Sequence, residues 1–273
     1  MKRELPIINI EGTEFLVDVN KLELREKTNE QNMISFKDMT DFGEGYSFEY
    51  NLKKRNIPHR FERIDIKIEI PEFVNLDPLG MARKYGHSEE KVKTKTDFEL
   101  MVDQKAYDMR VNKGMLPTVD ISGHTFYVDI RMDMLRPKDD FLSKGIVFSE
   151  IGRYYDDDRR TYTIPYNPSK HEFQEIDYAT LKELPKDLIA VEIPYERILD
   201  RIGWNRKYGF EPTHGLKQTN LKIHFKSNII PWQKTFLPQL IKGNLKENLK
   251  KERTGNKPDA PPKKLQGKRG RNM

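Results

Sequence analysis

Two histidines, His59 and His171, are each followed six residues later by an aspartate, Asp65 and Asp177. An imidazole beside a carboxylate can act as a general base or join a metal site. Six residues along a strand span ~20 Å, so neither pair meets within one strand, and each reads as a polar strand face beside a turn. The stretch "YYDDDRR" at 154–160 sets Asp156, Asp157 and Asp158 beside Arg159 and Arg160. Hard divalent cations want several carboxylate oxygens, and paired arginines suit phosphate. The stretch lacks the glycine and distal glutamate of a calcium loop, so it reads as a solvated turn. A metal-dependent hydrolase or nuclease would have to draw on His171, Asp177, Asp156 and Asp158, and that is the alternative function. No phosphate loop, dinucleotide fingerprint, serine elbow or paired-histidine zinc motif supports it. The expectation is a chain that is not an enzyme and carries no metal or cofactor.

A second kind of chemistry is electrostatic. Residues 243–273 hold ten Lys or Arg against three acids, a net +7 that exceeds the +6 of the whole chain and leaves the preceding residues at −1. Within this segment Lys263, Lys264, Lys268, Arg269 and Arg271 can neutralise phosphates without reading sequence, and the absence of aromatics argues against base stacking. The expected partner of the segment is nucleic acid. Elsewhere Arg197, Arg201 and Trp204 decorate a short helical stretch and are candidates for contact with a protein partner.

These residues are positioned by a sequence that repeats itself. "IPEFVNLDPLGMARKYG" at 70–86 and "IPYERILDRIGWNRKYG" at 193–209 are identical at nine of 17 positions. Upstream, "LPIINIEGTEFLVDVNKLELREK" at 5–27 aligns without gaps with "LPTVDISGHTFYVDIRMDMLRPK" at 116–138, and "HRFERID" at 59–65 matches "HEFQEID" at 171–177. The matched segments keep one order, which predicts a tandem duplication. Asp156, Asp157 and Asp158 then correspond to Glu44, Gly45 and Tyr46.

Each copy opens with two alternating apolar runs around a Gly-containing turn, a β-hairpin pattern. "YSFEYNL" with "HRFERIDIKIEI", and "TYTIPY" with "HEFQEID", predict a second hairpin, with Pro165 and Pro168 favouring an edge. The 70–86 and 193–209 stretches predict a strand end and a short helix closed by Gly86 or Gly209. Asp77 and Asp200 fall at the start of that helix, and the shared Arg-Lys pair at its C-terminus, where the dipole favours cations over anions. Thr96 and Glu99 make a capping-box pattern ahead of one apolar stripe from Phe98 to Met109 that ends at Gly114. "TNLKIHF" reads as a strand, and "PWQKTFLPQLIKG" as a closing helix.

The fold class expected is therefore α+β: two tandem repeats, each of two β-hairpins and a short helix, over residues 1–115 and 116–242, followed by a disordered basic tail over 243–273. With 36% hydrophobic residues the chain can bury a core, and with no cysteine it can form neither disulfides nor thiolate metal sites. No signal-like or membrane-length apolar run is present, so the expected location is the cytoplasm, away from membranes. The expected function is that of an accessory protein, with a folded body that binds a protein partner and a tail that associates with nucleic acid.

Overall fold

The computed structural model describes residues 3–255 and is a mixed α+β fold. In the first half, strands β1 (Ile7–Ile10), β2 (Thr13–Asp18), β3 (Glu23–Glu26) and β4 (Met33–Ser35) form an antiparallel sheet in the order β1-β2-β3-β4. Strands β5 (Thr40–Asp41), β6 (Gly45–Tyr50) and β7 (Ile66–Pro71) make a three-stranded sheet, and helices α1 (Phe73–Leu76), α2 (Pro78–Tyr85), α3 (Glu89–Val92), α4 (Asp97–Met101) and α5 (Gln104–Tyr107) follow. In the second half β8 (Thr118–Ile121), β9 (His124–Asp129), β10 (Met134–Pro137) and β11 (Ile146–Val147) pair as β11-β10-β9-β8. After helix α6 (Phe148–Ile151), strands β12 (Tyr155–Asp156), β13 (Thr161–Asn167), β14 (Glu172–Phe173) and β15 (Ile189–Pro194) lead to helices α7 (Glu196–Leu199), α8 (Arg201–Lys207) and α9 (Leu216–Thr219). Strands β16 (His224–Lys226) and β17 (Asn228–Ile230) then join the two sheets of this half, β16 parallel to β8 and β17 antiparallel to β15, and helix α10 (Leu237–Gly255) closes the described chain.

The hairpin turns carry the expected chemistry. Glu11 and Gly12 both have positive φ (50° and 77°), as do Ser122 and Gly123 (55° and 88°), which is what a two-residue turn matched to strand twist demands. Alternation then buries Phe15, Val17, Phe126 and Val128, and each half builds its own apolar cluster: one around Phe36, Tyr46 and Phe73, the other around Phe126, Tyr162 and Ile193. A third cluster, with Val102, Ala106, Ile202 and Leu216, packs the segment between the halves against the helices of the second.

Asp77 and Asp200 are buried N-caps. Each accepts a 2.9 Å bond from a glycine NH, Gly80 or Gly203, and a Cβ on either glycine would collide with the aspartate carboxylate. Each is also neutralised by an arginine that precedes the first strand of its half, Arg3 for Asp77 and Arg110 for Asp200, the latter through contacts of 3.1 and 2.7 Å. Gly86 ends α2 in the left-handed conformation at φ 69°. The shared lysines bind turns: Lys84 Nζ donates to the Val19 carbonyl at 2.7 Å, and Lys207 Nζ contacts Asp133 at 3.0 Å.

Several expected elements differ. His59 and Asp65 lie in the connection between β6 and β7, and Asp177 lies in a turn, so neither pair shares a strand. The partner of β13 along its whole length is β15, while "HEFQEID" supplies only the two-residue β14. Pro165 lies mid-strand between the residues that pair with β12 and those that pair with β14, where the missing NH leaves no ladder broken on that side. Strand pairing sets Tyr162 opposite Ile193 as Tyr46 is opposite Ile70, so Tyr162 occupies the place of Tyr46, and the earlier alignment of Asp156–Asp158 with Glu44–Tyr46 is displaced. The stripe from Phe98 to Met109 is broken at Val102, which is extended, because Asp103 caps a new helix through Ala106 NH. Residues 243–255, expected within the tail, continue α10, where Asn244 Nδ2 donates to the Tyr178 and Leu181 carbonyls. Lys263, Lys264, Lys268, Arg269 and Arg271 lie outside the described residues.

Candidate anion-binding cleft

A cleft of about 530 Å³ opens where the β12–β13 turn, the start of α7 and the segment after α9 converge. Four cations line it, Arg160, Arg197, Arg201 and Lys222, against one acid, Asp157, and the rings of Tyr155, Tyr195 and Phe225 form its apolar part. Local chain chemistry explains each position. Arg160 adopts a left-handed φ of 52°, an uncommon conformation for an arginine, and its carbonyl accepts a 3.0 Å bond from Tyr195 NH that ties the turn to α7. Arg197 and Arg201 are four apart across the kink at Asp200, so both face the cleft.

Arg201 is held from behind. Its Nε donates to the His214 carbonyl at 3.1 Å, and that loop is fixed by Asn205, which donates to the Pro212 and His214 carbonyls at 3.1 and 2.9 Å. Gly215 has φ 74°, and a Cβ there would come within 2.0 Å of Arg201 Nη2, so only glycine allows the loop to close on the guanidinium. Burial first, and repulsion from Arg197 second, push the Arg201 guanidinium below the ordinary arginine value.

Arg197 lies 4.3 Å above the Trp204 ring, and Trp204 stacks in turn on Phe210 at 5.7 Å, with 10° between the planes. Trp204 is thus a platform for Arg197 and does not itself line the cleft. Arg197 Nε is buried without an acceptor. The nearest acid on α7, Glu196, is engaged by the Tyr162 hydroxyl, and Glu192 by Arg159 at 2.7 Å. Among the described residues, none of the four cleft cations has an acidic partner within ion-pair distance. Two guanidiniums left unneutralised at half-buried positions could take an anion, since a phosphate or carboxylate would supply the missing acceptors and counter-charge.

A second basic cleft, about 700 Å³, adjoins α8. There Arg110 and Lys207 are paired with Asp200 and Asp133, and Arg131, Arg136 and Arg206 are exposed, so its buried charge is compensated.

The other sequence candidates are dispersed. Asp156 caps the Arg159 NH, Asp158 is exposed, and Asp177 bonds the Ala179 NH and the Thr180 hydroxyl. His171 contacts Asp140 and His124. No three His, Asp or Glu side chains among the described residues gather as a metal ligand set. Sequence reasoning missed Tyr195 and Lys222, which carry no motif, and passed over Tyr155 within the 154–160 stretch. Arg160 was visible only as half of an arginine pair whose other member turns to Glu192. Comparison with protein-family models, curated proteins and solved structures gives no match.

Proposed function

We propose that this chain is a non-enzymatic accessory protein that binds nucleic acid, taking a backbone phosphate into the cleft between Arg197 and Arg201 while the basic C-terminal segment extends the contact. The observation that carries the reading is the half-buried, unneutralised guanidinium pair. Tyr155 and Tyr195, 4.9 Å apart at the cleft wall, offer ring faces to a ribose or base. The +7 of residues 243–273 supplies long-range attraction that the near-neutral remainder lacks.

The same reading holds that the halves descend from a tandem duplication and that binding belongs to the second copy. The shared part of the strand orders, β1-β2-β3-β4 with β8-β9-β10-β11 and β5-β6-β7 with β12-β13-β15, the paired N-caps at Asp77 and Asp200 and their arginine partners support a common ancestor, to which the second half adds β14, β16 and β17. Where the second half has Arg197, Arg201 and Trp204, the aligned first-half residues are Val74, Pro78 and Met81. The shared residues build the helix pair, and the divergent ones build the cleft.

Fluorescence anisotropy with a labelled single-stranded oligonucleotide, run on the whole chain and on a chain ending at Gly255, tests this division. The shortened chain should bind more weakly yet retain a component that is lost in the Arg197→Gln/Arg201→Gln variant. A body that binds only acidic peptide, and no oligonucleotide, would return the cleft to a protein partner and refute the reading.

A further inference from the structure

The two halves differ in what closes their sheets. In the second half one continuous segment covers two edges: β16 pairs parallel with β8, and β17 pairs antiparallel with β15. The corresponding strands of the first half, β1 and β7, end their sheets among the described residues. An open edge is a row of unpaired NH and CO groups, and proteins guard such rows with charge. β7 is guarded, because Lys67 and Glu69 stand exposed on it and pair at 3.1 Å. β1, with the sequence Ile-Ile-Asn-Ile, carries no charged residue.

The register of β1 determines which of its groups are open. In an antiparallel ladder successive residues turn their NH and CO alternately toward and away from the neighbouring strand. Val17 NH donates to the Pro6 carbonyl at 2.8 Å, so Ile8 and Ile10 face β2 while Ile7 and Asn9 face outward. The aligned residues of β8, Thr118 and Asp120, are both engaged: Thr118 NH donates to the Ile223 carbonyl and Ser227 NH to the Asp120 carbonyl, each at 2.8 Å. Pro117 precedes β8 as Pro6 precedes β1, so a proline there does not block an added strand.

The surrounding side chains define the guest. On the core face of the second half Phe225 packs against the cluster that holds Val119 and Ile121, and Ile8 and Ile10 take those two places in the first half. On the outer face Thr118 Oγ1 meets His224 Nδ1 at 2.9 Å, whereas Ile7 stands there 48% exposed, in a row with Leu16, Arg25 and the exposed Met33. The β1 edge thus keeps the backbone geometry of the β16 site and replaces its polar outer contact with an apolar one.

We propose that the outer edge of β1 binds an extended, uncharged segment of a partner protein, paired parallel as β16 pairs with β8, with one apolar residue against Ile8 and Ile10 and another beside Ile7. Backbone bonds to Ile7 and Asn9 supply the affinity of such strand addition, and the alternating side chains supply its selectivity. A parallel guest of different sequence is what the second half accommodates, whereas two β1 edges joined by a twofold axis across the sheet would meet antiparallel.

The probe is a synthetic peptide of residues 221–227 carrying His224→Ile, which sets an apolar residue beside Ile7. It is added to the whole isotope-labelled chain, whose own β16 already fills the β8 edge, and amide shifts and hydrogen exchange are followed by NMR. The peptide should shift and protect the Ile7 and Asn9 amides and leave those of Lys67 and Glu69 unchanged. The same peptide methylated on its Phe225 nitrogen keeps every side chain but loses a backbone donor to the edge, and should bind at least about tenfold more weakly. Ile7→Lys, at an exposed position, should abolish the response while thermal melts show an intact fold. Undiminished binding of the methylated peptide, shifts confined to β8 and β9, or no response at all would overturn the proposal. A dimer by sedimentation, with Asn9 protected before any peptide is added, would overturn it in favour of a second copy.

Discussion

Replacing Gly215 by alanine strikes the cleft while leaving every charged residue in the sequence unaltered. Two effects follow, and they can be separated. The left-handed φ of 74° costs an alanine about 1–2 kcal/mol. Independently, the new Cβ would stand 2.0 Å from Arg201 Nη2 and 2.9 Å from Cζ, whereas ordinary contact begins at 3.4 Å, so the guanidinium must retreat by roughly 1.4 Å. Such a retreat removes the bond from Nε to the His214 carbonyl and takes one half of the anion clamp out of register. Gly86→Ala supplies the control: its φ is 69°, and a Cβ there meets nothing within 4 Å, so it carries the backbone cost without the collision. In thermal melts both variants should lose about 2–4 °C for each kcal/mol of that cost. In oligonucleotide anisotropy only Gly215→Ala should lose affinity, by about tenfold, the equivalent of one charge-assisted hydrogen bond. Unaltered affinity in Gly215→Ala, with a stability loss equal to that of Gly86→Ala, would refute the assignment of Arg201 to the binding site.

The buried ion pairs, the Glu26 network and the Trp204 platform each have a measurable consequence. Lys217, with its ammonium buried between Glu72 (2.8 Å) and Asp41 (3.1 Å), ties α9 to the first half; Lys217→Met should cost about 3–5 kcal/mol in urea unfolding by stranding carboxylates, and adding Glu72→Gln should recover part of it. Bonds first from Asn32 and then from Thr28, with Arg55 nearby, hold the Glu26 carboxyl below its ordinary value; its stabilising contribution is therefore present at neutral pH and lost as the solution is acidified through the range below about 4.5. Glu26→Gln should flatten the acid limb of the stability curve there, and an unchanged limb would count against the network. Trp204→Leu, which removes the platform under Arg197 but keeps an apolar side chain, should weaken oligonucleotide binding while leaving Arg201 in place, as measured by anisotropy.

The strands and caps were legible where local physics decides them. Alternation with a Glu11-Gly12 or Ser122-Gly123 turn can only close a hairpin, and the Thr96–Glu99 capping box is present as the spacing demands. Partners set by long-range pairing were not legible. Tyr162 finds Ile193 across a long connection, and nothing in "HEFQEID" announces that it forms only a two-residue strand. One apolar stripe became α4 and α5 because Asp103 caps locally and Asn220, distant in sequence, receives its NH at 2.8 Å. At the cleft, the divergence of Arg197, Arg201 and Trp204 from the first copy was visible in sequence. The meeting of Arg160 and Lys222 with them was not, since each comes from a different turn. The division of labour was equally hidden, because a Trp seven residues from an Arg declares no cation–π contact until a kinked helix pair folds one over the other.

The most direct measurement is the salt dependence of oligonucleotide affinity for the whole chain and for Arg197→Gln/Arg201→Gln. Each phosphate neutralised on a single strand contributes about 0.7 to the slope of log K against log salt concentration, so loss of the guanidinium pair that holds one phosphate should flatten the slope by about 0.7. An affinity and slope indistinguishable from those of the unaltered chain would contradict the account and confine nucleic-acid binding to the C-terminal segment.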